Sequence, residues 1–245
     1  MGELDGRVAI VTGSSSGIGE ATARRLSELG CRVVVNSATS VEAGTAVAGS
    51  LPSEALYVQA DISDQEQGKA LVARTIERFG RLDLLVNNAG WTTPVKHADL
   101  DALTDEILRR TFEVNVFGTW WLTRAAMPYL RRSPDPNVVM ITSVAGVRPV
   151  GSSIAYAMSK AAQNHLTALL AKSCGPVRVN AVAPGLVATP LSANMPELHA
   201  AVAAAVPLHR SARPDDCADA VVALVRNAYV TGQVLVVDGG SSLVW

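Results

Sequence analysis

Tyr156 and Lys160 stand four positions apart in the run YAMSK. On a helix that spacing puts both side chains on one face. A phenol with an ordinary pKa near 10 is a weak base at neutral pH. A neighbouring ammonium favours the phenolate, so the pair can exchange a proton with the oxygen of an alcohol or a carbonyl. Ser143 lies thirteen positions before the tyrosine, after the apolar run NVVMI (137–141). If that run is a strand, Ser143 emerges at its carboxyl end, where open α/β sheets bind ligands. There its hydroxyl can hydrogen-bond an oxygen that gains negative charge. Ser152 and Ser153 are poorer candidates, lying too near the tyrosine in sequence.

A second chemical feature stands near the start of the chain. VTGSSSGIGEA (11–21) places Gly13, Gly17 and Gly19 between an apolar run and a helical pattern. Glycines suit a backbone that must turn sharply or approach another group closely. The free N–H groups and dipole of the helix that follows favour an anion, and a pyrophosphate laid across the loop satisfies both features. The small Ser14, Ser15 and Ser16 leave room there and can donate hydrogen bonds. An acid about 20 residues beyond such a loop selects NAD through the ribose 2′-hydroxyl. Here no acid lies between Glu28 and Glu42, and the second strand ends in Asn36-Ser37, followed by Ala38-Thr39-Ser40. Nothing in that stretch repels a 2′-phosphate, so NADP is the expected cofactor and NAD the alternative. Small hydroxyls would have to hold the phosphate.

These residues need a scaffold. Seven short Val/Ile-rich runs (7–11, 32–36, 56–60, 82–86, 137–141, 177–182 and 233–238) are nearly continuous in apolar residues. Such runs mark strands covered on both faces, as in a parallel sheet. Helical patterns lie between them. One runs from Ile18 to Leu29, and a second is capped at Ser63-Asp64 and stopped by Gly80. A long one spans Asp105 to Arg131, with Pro128 ending or kinking its last turn. Others cover 154–173 and 214–226, and AAVAAAV (200–206) reads as a short helix. The alternation predicts one doubly wound α/β domain over residues 1–245, with a seven-stranded parallel sheet and helices on both faces.

Composition narrows the function classes. A formal net charge of −1 over 245 residues gives no basic stripe for nucleic acid. Cys31, Cys174 and Cys217 form no CxxC pair, and His97, His165, His199 and His209 show no metal spacing, so no metal is expected. The first apolar run is too short for a signal peptide and no run is long enough to span a membrane, so the chain reads as cytoplasmic.

Six ordered motifs carry a family resemblance. TGSSSGIG (12–19), NNAG (87–90), Asn115 in EVNVFG, Ser143 in ITSVAG with YAMSK, VNAVAPG (179–185) with Thr189, and YVTGQVLVVDGG (229–240) together resemble the short-chain dehydrogenase/reductase family. The pattern is most similar to its 3-oxoacyl-(acyl carrier protein) reductases. The resemblance implies a catalytic set of Asn115, Ser143, Tyr156 and Lys160. Asn115 would hold a water that links Lys160 to solvent. It also implies cofactor contacts at Gly13, Ser15, Ser16, Gly17, Ile18 and Gly19, and at Asn36 and Ser37. Asp61 and Ile62 would lie at the adenine edge, and Asn88, Ala89 and Gly90 near the ribose. Tyr156 and Lys160 would lie at the nicotinamide ribose, and Pro184, Gly185, Val187 and Thr189 around the carboxamide. A homo-oligomer, tetramer or dimer, is implied as well. Substrate selection falls to Trp91, the Val144–Gly151 loop and the segment from Leu186 to Arg210, with Leu191 and Met195 as walls.

The expected activity is NADP(H)-dependent reduction of a small-molecule carbonyl to a secondary alcohol. An NAD-dependent alcohol, sugar or steroid dehydrogenase would use the same residues. A cofactor-binding regulator without turnover is the alternative of another class, although a pure binder has no use for Ser143.

Overall fold

A computed structural model describes residues 2–244. Seven strands form one parallel sheet: β1 (Val8–Val11), β2 (Arg32–Ser37), β3 (Ala55–Gln59), β4 (Leu84–Asn87), β5 (Asn137–Ile141), β6 (Arg178–Pro184) and β7 (Val234–Val237). Their order across the sheet is β3-β2-β1-β4-β5-β6-β7. This is the expected doubly wound sheet. Strand order reverses beside β1, which pairs with β2 on one side and β4 on the other. A crevice opens at such a reversal, at the carboxyl ends of the strands.

Alternate residues of each strand feed two separate cores. Val8, Ile10, Val34, Leu85 and Met140 pack with Leu71, Leu122, Leu130 and Leu170. These last come from α3 (Gln65–Phe79), α5 (Thr119–Leu130) and α6 (Ile154–Ser173). Ala9, Val11, Val33, Val35 and Val86 pack on the other face with Ala23, Leu26, Val47, Val221 and Leu224. Those side chains belong to α1 (Gly17–Glu28), α2 (Val41–Ser50) and α8 (Pro214–Arg226). Burial on both faces accounts for the absence of polar alternation in the strands.

Three departures from the sequence reading matter for the site. The expected helix over 105–131 is helical from Asp105 to Leu130 but not uniformly α. It begins as α4 (Asp105–Phe112), loosens into a π turn at Glu113–Gly118, then resumes as α5. Pro128 sits inside α5, which continues to Leu130. Helix α2, which the expected alternation implied but to which it gave no bounds, packs with Gly44 against the ring of Tyr57, where a Cβ would come within 2.3 Å of a ring carbon. The short helix expected over 200–206 is α7 (Pro196–Ala205). By contrast, Asp64 caps α3 as anticipated, accepting N–H bonds from Glu66 and Gln67, and Gly80 closes it with φ +74°.

Candidate active site

The glycine loop is held by the ends of two neighbouring strands. Thr12 Oγ1 accepts the N–H groups of Asn88 and Ala89, both at 3.0 Å. Asn88 Nδ2 donates back to the carbonyls of Thr12 (2.8 Å) and Gly13 (3.0 Å). Asn36 accepts from the Gly13 N–H and donates to the carbonyls of Val58 and Ala60. Gly13 and Gly17 take positive φ values of +60° and +58°, a region that side chains rarely adopt. Gly19 has another role: a Cβ there would lie 2.4 Å from the Gly13 carbonyl and 2.5 Å from Asn88 Nδ2. Gly19→Ala is therefore expected to push the loop off β4 and weaken dinucleotide binding at least ~10-fold, a loss of about 1.4 kcal/mol. Cofactor titration by protein fluorescence measures it; an unchanged affinity rejects this account of the loop.

A cavity of about 1030 Å³ opens above this loop. Its walls include Gly13, Ser15, Ser16 and Ile18 from the loop, and Asn36 and Ser37 from the end of β2. Asp61 and Ile62, Asn88 to Gly90, Pro184 and Gly185, and Val187 and Thr189 continue the lining, together with Ser143, Tyr156 and Lys160. Gly17, Gly19 and Asn115 do not line it. Asn36 and the Asn88 amide nitrogen hold the loop while both residues border the cavity. Asp61 is also engaged, accepting from Ser63 and pairing with Arg110 at 3.4 Å, and these partners hold its carboxyl below the usual range against the opposing effect of burial.

Ser143 follows β5 and accepts the Ala145 N–H at 3.1 Å. Ser153 is the N-cap of α6, accepting from the Tyr156 N–H at 3.2 Å, so it positions the helix and not the substrate. One turn along, the Lys160 ammonium lies beneath the Tyr156 ring, 5.6 Å from its centroid. Burial raises the Tyr156 pKa above 10, and the Ser143 hydroxyl opposes that shift. Burial lowers Lys160 from 10.5 to about 7. The sequence reading anticipated that the ammonium would depress the phenol; in this protein desolvation dominates instead.

Asn115 sits in the π turn, fully buried. Its side chain accepts the Trp91 N–H (2.7 Å) and donates to the Trp91 carbonyl (2.9 Å) and to Ser159 Oγ (3.0 Å). It therefore fixes the strand exit at NNAG and ties it to α6. Its backbone carbonyl is joined to Lys160 through Gln163, a residue the sequence reading did not single out. The usable signal was a polar amide three positions after the lysine, among alanines, on the helix face that must be buried.

On the substrate side, Trp91, Val144, Arg148, Val150, Leu186, Leu191 and Met195 line the same cavity. The cover over it is α7 with the short turn Pro190–Ser192. His199 of α7 bridges Ser211 (2.8 Å) and Ser192 (3.1 Å), pinning the helix to both ends of the segment.

A Gly-rich loop at a strand-order reversal, facing a serine and a Tyr-Lys pair in one cavity, defines a dinucleotide-binding oxidoreductase. Comparison with known proteins refines the class. A family model described as Enoyl-(Acyl carrier protein) reductase matches residues 13–242. The chain is 54% identical over 241 residues to a protein assigned as ketoacyl reductase 2 of the granaticin polyketide synthase of Streptomyces violaceoruber, covering 96% of each. It is 33% identical over 244 residues to a 3-oxoacyl-(acyl carrier protein) reductase of Thermotoga maritima, covering 97% of this chain and 98% of that one. A Brucella melitensis structure, titled a short-chain dehydrogenase/reductase of the glucose/ribitol dehydrogenase type, superposes with a TM-score of 0.91 at 29% identity, covering 98% of each chain. The chain belongs to the short-chain dehydrogenase/reductase family and is an oxidoreductase acting on carbonyl or alcohol groups.

Proposed function

We propose that the protein is an NADPH-dependent reductase that converts a 3-oxoacyl-type carbonyl to a secondary alcohol. The observation that carries this reading is the convergence of Ser143, Tyr156 and Lys160 with the glycine loop on one cavity. When bound, the nicotinamide dinucleotide supplies the hydride. The residues fit it: Ser15 and Ser16 border the cavity at the start of α1, where free N–H groups suit a pyrophosphate, and Ser16 makes no side-chain capping bond. The chain's own residues do the rest. Ser143 holds the substrate oxygen, and Tyr156 gives that oxygen a proton. A phenol kept neutral by burial suits donation at neutral pH. Lys160 supplies positive charge below the phenol as the proton leaves.

NADP over NAD is supported by the end of β2. The cavity there is lined by Ser37, Ala38, Thr39 and Ser40, with no carboxylate, and leads into the start of α2. The 3-oxoacyl substrate class is supported by the two relatives' names. Phe117 and Trp120 on the outer helical face, and Leu235 and Val236 on the edge strand β7, are exposed and support self-association. Among the described residues, no helix is long and apolar enough to cross a membrane.

The test is turnover of a panel of 3-oxoacyl thioesters and simple ketones with NADPH and with NADH, followed by loss of cofactor absorbance. Reduction with NADPH at least ~10-fold more efficient than with NADH is expected, and Ser37→Asp should reverse that preference by setting a carboxylate against the 2′-phosphate. No turnover on any member, with cofactor binding intact, rejects the enzymatic reading in favour of a binder. A wild-type preference for NADH rejects the NADP assignment alone.

A further inference from the structure

The amide of Gln163 occupies the space between two parts of the catalytic set. Its side chain is fully buried. Gln163 Oε1 accepts from Lys160 Nζ at 2.9 Å. Gln163 Nε2 donates to the Asn115 carbonyl at 2.7 Å and to Thr119 Oγ1 at 3.0 Å. Its orientation is fixed, because the amide nitrogen meets two acceptors and the amide oxygen meets an ammonium. The π turn makes the contact possible. In an α-helix the Thr119 N–H would go to the Asn115 carbonyl, whereas here it goes to Val116. The Thr119 N–H thus does not take the Asn115 carbonyl as it would in a regular α-helix, and Gln163 donates to that carbonyl.

We propose that Gln163 is a positioning residue for catalysis, a carboxamide strut that fixes the Lys160 ammonium beneath Tyr156 and favours its charged form. The remaining Lys160 donor bond goes to the Ile141 carbonyl at 2.9 Å. The groups facing the ammonium are Tyr156 and Gln163 from α6, Asn115 through Gln163 from the π turn, and the Ile141 carbonyl from β5. Among the described residues no carboxylate contributes to its titration. The positive charge is therefore held by two neutral carbonyl dipoles, one of which is Gln163. A carboxamide neither takes up nor releases a proton near neutrality, so this link sets the position and charge of Lys160 without passing a proton to Asn115.

This assignment rests on the proton-donor role proposed for Tyr156, but its test does not need turnover. The chain has four lysines, so the Lys160 side chain can be followed by carbon-13 NMR in the cofactor-free protein and identified by its absence in Lys160→Met. Gln163→Glu sets a carboxylate beside the ammonium, and Gln163→Met keeps the volume while removing the acceptor. The Lys160 midpoint is expected to move up by about one pH unit or more in Gln163→Glu and down in Gln163→Met. With an active carbonyl substrate, the pH limb of kcat should shift in the same two directions, and kcat of Gln163→Met should fall about 10-fold or more at neutral pH with a smaller change in KM. Midpoints unchanged in Gln163→Glu overturn the proposal, whatever happens to the melting temperature. If Gln163→Met does not fold, the Gln163→Glu titration decides alone.

Discussion

Tyr156→Phe is expected to lower kcat by about 10²–10⁴-fold, the range for loss of a positioned proton donor, with cofactor binding and melting temperature near wild type. The separation of the two effects follows from where the hydroxyl lies. Tyr156 lines the cavity, and its backbone N–H, not its phenol, makes the contact with Ser153 that caps α6. Ser143, whose hydroxyl offsets part of the rise in the phenol's pKa, is likewise a cavity residue. Removing one oxygen thus leaves both cores, the glycine loop and the Asn115 bonds in place. The comparison to make is single-turnover reduction by wild type and variant with cofactor saturating, beside a thermal melt of each. A variant retaining more than about a tenth of wild-type kcat removes Tyr156 from the proton-donor role. A variant that loses activity together with its fold shows instead that the phenol has a structural part this geometry does not contain.

Lys160→Met is expected to abolish turnover and, separately, to change how stability depends on pH. Burial holds Lys160 at about 7 in the folded protein, against 10.5 for the exposed side chain. Between those values the folded chain carries a neutral amine and the unfolded chain an ammonium, so unfolding takes up a proton. Stability then rises with pH through this window, by up to about 1.4 kcal/mol per pH unit for one proton. Near pH 9 a counter-effect begins. Cys31 and Cys217 are raised by burial from 9.0 to about 12, so their unfolded thiols ionise first and stability falls. The clean interval is therefore about pH 7 to 8.5, over which cofactor-free wild type should gain about 1–2 kcal/mol and Lys160→Met close to none. Urea denaturation at the two pH values reads the difference. Parallel slopes for the two proteins would mean that Lys160 titrates elsewhere, and the charge account of the site would fall with it.

The uneven legibility of the sequence has physical causes. Local rules sufficed for the sheet, because strands buried on both faces must be apolar throughout. They also sufficed for α3, whose Asp64 cap and Gly80 stop act within one turn of the chain. The glycine loop, Ser143 and the Tyr156–Lys160 pair were visible because each is a short contiguous pattern. The bounds of α2 were not legible since its packing depends on a distant residue: Gly44 leaves room for Tyr57 of the neighbouring strand. The π turn escaped for a similar reason. Nothing in EVNVFG demands an extra residue in the turn, yet Gly118 lies against the Ile62 backbone, where a Cβ would come within 2.7 Å of the carbonyl oxygen.

By itself, then, the chain determined the order of its strands and helices, the anion-binding turn, and which side chains could move a proton, since all of these depend on neighbours within a few residues. Tertiary structure decided what each of those groups became. Asn36 and Asn88, which border the cavity, also hold the loop because the ends of β2 and β4 converge on it. Lys160 became a titrating amine instead of a permanent cation because α6, β5 and the π turn exclude water around it, and Gln163 joined the site because two helices distant in sequence meet there. Desolvation and long-range hydrogen bonding are properties of the packed molecule, and no window of sequence contains them.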